Sequence, residues 1–324
     1  MDQRYTTSQE QAHYRIQQRR RRQAKRRRQR RLTLIACCAA LVLVCVCVFR
    51  FLPFGAAQEP ASSDPADVLP GGAGDLVEEP EENFDHVDIT PQDGDSEQML
   101  ALKELAVEEP RVKKIIDNIE AYPEDLITLV LKTPETVDFV ADYPEKGHLR
   151  PAIDLSEEAS GDEIPLLIQW DERWGYQEYG SGMIGWTGCG PTCMSMLALY
   201  FTGNEAYDPV TVAQWAEDNG YYVSGSGTSW TFMSEGCAHF GLKAEELPLV
   251  KQYMINAIEE GRPIVCAMAP GDFTTNGHYI ILTGYDEERG FTVNDPNSPI
   301  RSGQYWTYEV LESQISNLWA IDKA

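Results

Sequence analysis

The stretch Trp186-Thr-Gly-Cys-Gly-Pro-Thr-Cys193 decides how this chain is read. Cys189 stands between Gly188 and Gly190, with Pro191 behind it and an apolar run from Met194 to Tyr200 after that. The pattern predicts a loop that turns into a helix, because proline suits the first helical turn, where its missing N–H would lack a partner anyway. Cys189 then lies at or just before a helix N-terminus. There the partial positive charge of the dipole favours thiolate over thiol, and the thiolate is the nucleophile. The flanking glycines leave room for a substrate backbone to approach. Alone, such a cysteine would be read as a small apolar residue opening a helix. A strand-like run, His278-Tyr-Ile-Ile-Leu, and a turn, Asn294-Asp-Pro, tip the balance towards chemistry.

His278 opens the run Tyr279-Ile-Ile-Leu-Thr-Gly-Tyr285, and Asp286-Glu-Glu-Arg-Gly290 follows as a hairpin loop. Phe291-Thr-Val-Asn-Asp295 then returns antiparallel. Entry to the first strand and exit from the second lie at one end of such a hairpin, so His278 and Asp295 are brought near each other. A cysteine activated by a histidine whose ring is oriented by a carboxylate or amide follows the general logic of a triad. Asn294 is a rival orienting group, but alternation along the strand points it to the opposite face. His239, mid-helix beside Cys237, is the rival to His278, and Asp286, in the loop, is a weaker rival to Asp295. Oxyanion stabilisation needs a backbone N–H, for which Cys189 is placed, and a side-chain donor. Gln169, expected at the end of the apolar strand Leu166-Leu-Ile-Gln169, is the candidate for that donor.

Four segments, Gln169-Trp-Asp-x-x-Trp, Gly188-Cys-Gly-Pro191, Gly277-His-Tyr-Ile and Val293-Asn-Asp-Pro296, together resemble the ordered motifs of papain-like cysteine peptidases. The most similar group is the bacteriocin-processing-peptidase-like family, family thirty-nine of the cysteine peptidases. The resemblance covers about residues 164–324. It implies an α+β fold with a helical half carrying Cys and an antiparallel sheet half carrying His and Asp. It also implies Cys189 as nucleophile, His278 as base, Asp295 as orienting acid and Gln169 in the oxyanion hole. Processing enzymes of that group sit ahead of an exporter, face the cytoplasm and cut leader peptides after a double glycine. The present chain is read with a single span and an outward-facing domain, so the resemblance carries fold and apparatus, not that substrate.

Charge is distributed in two opposite blocks. Of 27 basic and 51 acidic residues, 13 and two fall in residues 1–50, leaving 14 basic and 49 acidic residues for the rest. The arginine-dense arm invites a nucleic-acid reading. It abuts Leu32–Phe49, however, 18 residues without a charge and about 27 Å long as a helix. Arginines crowded at one end of a hydrophobic span hold that end in the cytoplasm. The expectation is a membrane-anchored surface protein with the domain outside the cell. Cleavage after Gly55-Ala56-Ala57 is the alternative. Cys37, Cys38, Cys45 and Cys47 lie in the span, and the spacing of Cys189, Cys193, Cys237 and Cys266 matches no metal-ligand pattern. No cofactor, metal or nucleic acid is expected.

The expected organisation is a basic cytoplasmic tail (1–31), a transmembrane signal-anchor helix (32–52), an acidic flexible linker (53–98), a short helical segment or brace (99–163) and the peptidase-like domain (164–324). Pro110, Pro123 and Pro134 open successive helical patterns in the fourth of these. All seven tryptophans fall between Trp170 and Trp319, which places the principal core in the last. Within it, helices are predicted over 191–201, 209–219, 229–240 and 251–260, and strands over 263–268, 278–285, 291–294 and 304–307. The Gly-Ser stretch from Gly220 to Trp230 reads as a cleft rim. The function expected is a thiol peptidase acting on a peptide or protein substrate. Its alternatives are a cell-wall amidase or murein endopeptidase with the same chemistry, and an inactive binding module on the same fold.

Overall fold

A computed structural model describes residues 83–324. The expected tail and span, with most of the expected linker, lie outside the described residues. Among the described residues no helix is long and apolar enough to cross a membrane.

The first elements form a small helical layer: α1 (Glu97–Leu105), α2 (Val112–Asp117), α3 (Glu124–Lys132) and α4 (Val137–Ala141). Ser96 caps α1, its hydroxyl accepting from Met99 N. In α3, acids in the first turn and Lys132 in the last match the helix dipole, while Leu126, Ile127, Leu129 and Val130 supply the buried face. Helices this short are marginal alone. They hold because Leu102, Ile115, Leu126, Val130 and Phe139 share one core with Tyr176, and Trp170, Met183 and Trp186 pack on it. Tyr176, Trp170, Met183 and Trp186 come from beyond residue 163. Contacts also reach back to Ile89, which packs on this core, and to Thr90 and Asp95, whose oxygens take the buried Lys103 ammonium at 3.0 and 2.7 Å.

The second half begins with α5 (Cys189–Thr202), followed by α6 (Pro209–Asp218), α7 (Trp230–Ser234) and α8 (Lys251–Glu259); a one-turn α9 (Pro299–Ser302) comes late. Six antiparallel strands make one sheet: β1 (Leu242–Glu246), β2 (Ile264–Met268), β3 (His278–Asp286), β4 (Gly290–Asn294), β5 (Tyr305–Trp306) and β6 (Ile315–Lys323). Their spatial order is β1-β6-β2-β3-β4-β5. Side chains alternate between two cores. Val265, Tyr279, Ile281 and Trp319 face the α5 side with Met194 and Leu197, whereas Ile264, Cys266, Ile280 and Leu282 face Met254 and Ala257 of α8.

Three local expectations are corrected. No helix runs from 229 to 240: α7 stops at Ser234, Glu235 leaves helical geometry, and a 3₁₀ turn follows over Gly236–Phe240. A Cβ at Gly236 would meet the Phe232 ring at 2.9 Å, so close packing governs that break. Leu166–Gln169 is irregular, not a strand; its backbone is held by Gln169 N donating to Pro296 O at 2.7 Å. Strands β1 and β6 have no counterpart among the expected strands, although β6 is an interior strand, paired with β1 on one side and β2 on the other.

Candidate active site

Cys189 is the first residue of α5 and is partly exposed. No side chain caps this N-terminus; Pro191 has no N–H and Thr192 N donates to Gly188 O, so Cys189 and Gly190 carry its open first-turn donors. The two flanking glycines answer to packing in this fold. A Cβ on Gly190 would lie 2.5 Å from Thr228 Oγ1, and one on Gly188 would lie 2.6 Å from Ile184. Thr228 is pinned in turn, its hydroxyl paired with Tyr179 OH at 2.9 Å and its carbonyl accepting from Tyr279 OH at 3.1 Å. The Gly-Ser stretch thus ends against the Cys189 turn as a two-stranded ribbon, Tyr222–Val223 with Gly227–Thr228.

His278 is 8% exposed at the mouth of β3, and Asp295 follows β4 fully buried. The hairpin brings them together, with His278 Nε2 2.7 Å from Asp295 Oδ1. Burial alone would favour the neutral imidazole. The Asp295 carboxylate, by charge and hydrogen bond, and the Cys189 thiol beside the ring outweigh it and raise His278 to about 10. For Asp295, burial works against charge, but His278 and Arg301 overcome it and hold the carboxyl below its ordinary value. With Nε2 committed to Asp295, Nδ1 is the ring nitrogen left for the Cys189 thiol.

Gln169 is 2% exposed and reaches both sides of the site. Its backbone bonds to Pro296, next to Asp295, and its Nε2 donates to Gly185 O at 2.9 Å, in the turn before Cys189. Its Oε1 is buried without a protein partner. Asn294 turns away, its amide donating to Ile164 O and Pro165 O at 3.1 Å. His239 is exposed and stacks on Trp215 at 4.2 Å; Asp286 pairs with Arg289 at 2.9 Å. Neither belongs to the cluster.

Cys193, Cys237 and Cys266 are buried, and burial pushes all three thiols up, Cys237 to about 11. These and Cys189 are free of disulfides. Among the described residues no group of three or more His, Cys, Asp or Glu side chains could hold a metal ion. Sequence reasoning missed Arg301, whose Nε donates to Asp295 Oδ2. A buried carboxylate needs partners for both oxygens, and Arg301 is the first cation after Asp295 in the chain; that was the available signal. It also missed Asn297, whose N–H reaches Asp295 Oδ1 at 2.8 Å, and Ser302, whose hydroxyl accepts from Asp295 N at 2.9 Å.

No curated protein matches this chain. Among solved structures, it is similar to the peptidase domain of Streptococcus ComA, a bi-functional ABC transporter involved in a quorum-sensing pathway. The likeness has 16% identity, covers 43% of this chain and 91% of that one, and has a TM-score of 0.33. Residues 162–324 match the Peptidase_C39 like family. Half the chain is thereby accounted for, including every residue of the Cys189, His278 and Asp295 cluster: the chain belongs to the Peptidase_C39 like family and is a cysteine-type peptidase.

Proposed function

We propose that this peptidase hydrolyses peptide bonds through a Cys189–His278–Asp295 triad, with Gln169 and the Cys189 N–H holding the oxyanion. One observation carries the reading. His278 Nε2 is taken by Asp295, and the same ring interacts with the thiol that opens α5.

In this reading the buried Asp295 carboxylate favours the charged His278 ring, and the attacking species is the Cys189 thiolate paired with it. The thiolate attacks the scissile carbonyl carbon, and the C=O electrons move onto oxygen. The Cys189 N–H and the second N–H of Gln169 Nε2, free of Gly185, stabilise that oxyanion. His278 gives its Nδ1 proton to the leaving amine as the C–N bond breaks, which leaves a thioester. The neutral ring then takes a proton from water as its oxygen adds to the thioester carbon. C–S cleavage returns the thiolate and imidazolium.

An electrophilic peptide probe tests the nucleophile. Labelling should vanish in Cys189→Ala and persist in Cys193→Ala; the reverse would sink the assignment. The rate should fall on the alkaline side as pH rises through about 10, because the imidazolium that protonates the leaving group is lost there. Profiling peptides against muropeptides separates a protein-directed enzyme from a murein endopeptidase.

The arginine block ahead of the uncharged run 32–49 supports a reading in which the catalytic domain and its substrate lie outside the cell. Protease added to intact cells should then remove the catalytic domain. Cleavage only after lysis would reverse the topology.

A further inference from the structure

The family match starts at residue 162, yet a residue well before it is bonded to the loop that carries the catalytic carboxylate. Glu135 lies in the turn Pro134–Thr136, between α3 and α4. Its Oε2 accepts from Ser298 Oγ at 2.5 Å and its Oε1 from Ile300 N at 2.9 Å. Ser298 is fully buried and is the N-cap of α9, its hydroxyl also accepting from Arg301 N at 3.0 Å. Ile300 N is one of the first-turn donors that a helix cannot satisfy for itself. Glu135 therefore supplies, from a remote segment, the acceptors for two donors at the start of α9.

What α9 carries gives this contact its meaning. Arg301 reaches from it to Asp295 Oδ2, and Asp295 Oδ1 holds His278 Nε2. The terminal Nη2 of Arg301 is buried with no protein partner, so the place of its guanidinium depends on the Asp295 bond and on where α9 sits. A contact that only glued the helical layer to the rest could end anywhere on the shared face. The Lys146 bond to Glu172, at 2.9 Å and half in solvent, is such a contact. Glu135 ends on the turn that carries Arg301 and Ser302, both bonded to Asp295.

We propose that Glu135 is a positioning residue for the peptidase reaction, fixing α9 so that Arg301 and Asp295 hold the His278 imidazolium in place. The proposal rests on the triad reading above. Removing the carboxylate strips Ser298 Oγ and Ile300 N of their acceptor, loosens α9 and weakens the hold on the charged ring. The charged and titratable groups bearing on that ring are Asp295, Cys189, Arg301 through Asp295, and Glu135 through α9.

The test uses the full-length protein and a peptidyl epoxide, whose ring opening needs the thiolate and a proton from the imidazolium. Labelling of Cys189 is followed by peptide mass spectrometry against pH in wild type, Glu135→Ala, Glu135→Gln and Cys189→Ala. Because Glu135 is half-buried at the surface, neither substitution empties a core, and thermal melting checks that both variants fold. In Glu135→Ala the limiting labelling rate should drop about tenfold, as for a misplaced catalytic group. The probe's affinity should stay as in wild type, and the alkaline limb should move to lower pH. Glu135→Gln keeps two oxygen lone pairs and one size, and should recover part of both changes. An unchanged rate overturns the proposal, and so does a lower rate with the limb where wild type has it. Labelling elsewhere with Cys189→Ala still reactive would instead overturn the triad itself.

Discussion

The helical layer and the catalytic half differ in almost every local respect, yet they share a core. In the catalytic half, α5 and the β3–β4 hairpin carry Cys189, His278 and Asp295, and all of the cluster lies within the family match. The helical layer lies outside that match and offers no nucleophile or base to the site. Its buried face nevertheless closes on Tyr176, Trp170 and Trp186, and Phe139 stacks on Tyr176 with ring centroids 4.3 Å apart. Phe139 also seats against Gly185, where a Cβ would meet its ring at 2.7 Å, and Gly185 O is the acceptor for Gln169. A boundary drawn by sequence similarity thus runs through a packed interior. What the chemistry needs locally and what holds that chemistry in place are encoded in different stretches.

Three substitutions sharpen or break that contrast. The largest effect should come from Phe139→Ala. Emptying a ring this buried costs about 3–5 kcal/mol, and thermal unfolding should stay a single transition, since the two layers share one core. Two separate transitions would show that the layers fold independently and that the contrast is between domains after all. Next comes Gln169→Ala, which should lower turnover about a hundredfold, or about 2.7 kcal/mol of transition-state stabilisation. Stability should change far less than in Phe139→Ala; an equal loss of both would make Gln169 a structural tie to Pro296 and Gly185. The smallest effect belongs to Lys146→Ala. Its bonds to Asp142 and Glu172 are partly in water, and such pairs contribute about 0–1 kcal/mol. A larger loss in a melting curve would mean that charge, not apolar packing, joins the two layers.

Legibility followed the range of the interaction. The Cys189 turn was readable because glycine, proline and an apolar run state a loop-to-helix transition within a dozen residues. The approach of His278 to Asp295 was readable because a hairpin returns the chain to where it entered, and strand alternation set Asn294 aside. Gln169 was singled out as a donor, but its backbone was misread: an apolar run of four residues does not reveal that its N–H will find Pro296. Strand β1, Leu-Lys-Ala-Glu-Glu, has too few apolar residues to announce itself, and it is stabilised as the edge partner of β6. Arg301 and Glu135 carry no local signature at all, being ordinary charged residues until the fold buries Asp295 beside one and Ser298 beside the other.

By itself, then, the sequence determined the elements whose geometry is closed by near neighbours: the α5 start with its cysteine, the β3–β4 hairpin with its histidine and aspartate, and the proline-opened helices. Those rest on backbone preferences and side-chain periodicity, which act over a few residues. Tertiary structure alone decided that β6 enters between β1 and β2, that Gln169 is tied to both Pro296 and Gly185, and that Glu135 accepts from the start of a helix 164 positions after it at Pro299. The physical reason is that a buried polar group must be satisfied by whatever the fold brings within about 3 Å, and that partner can lie anywhere in the chain.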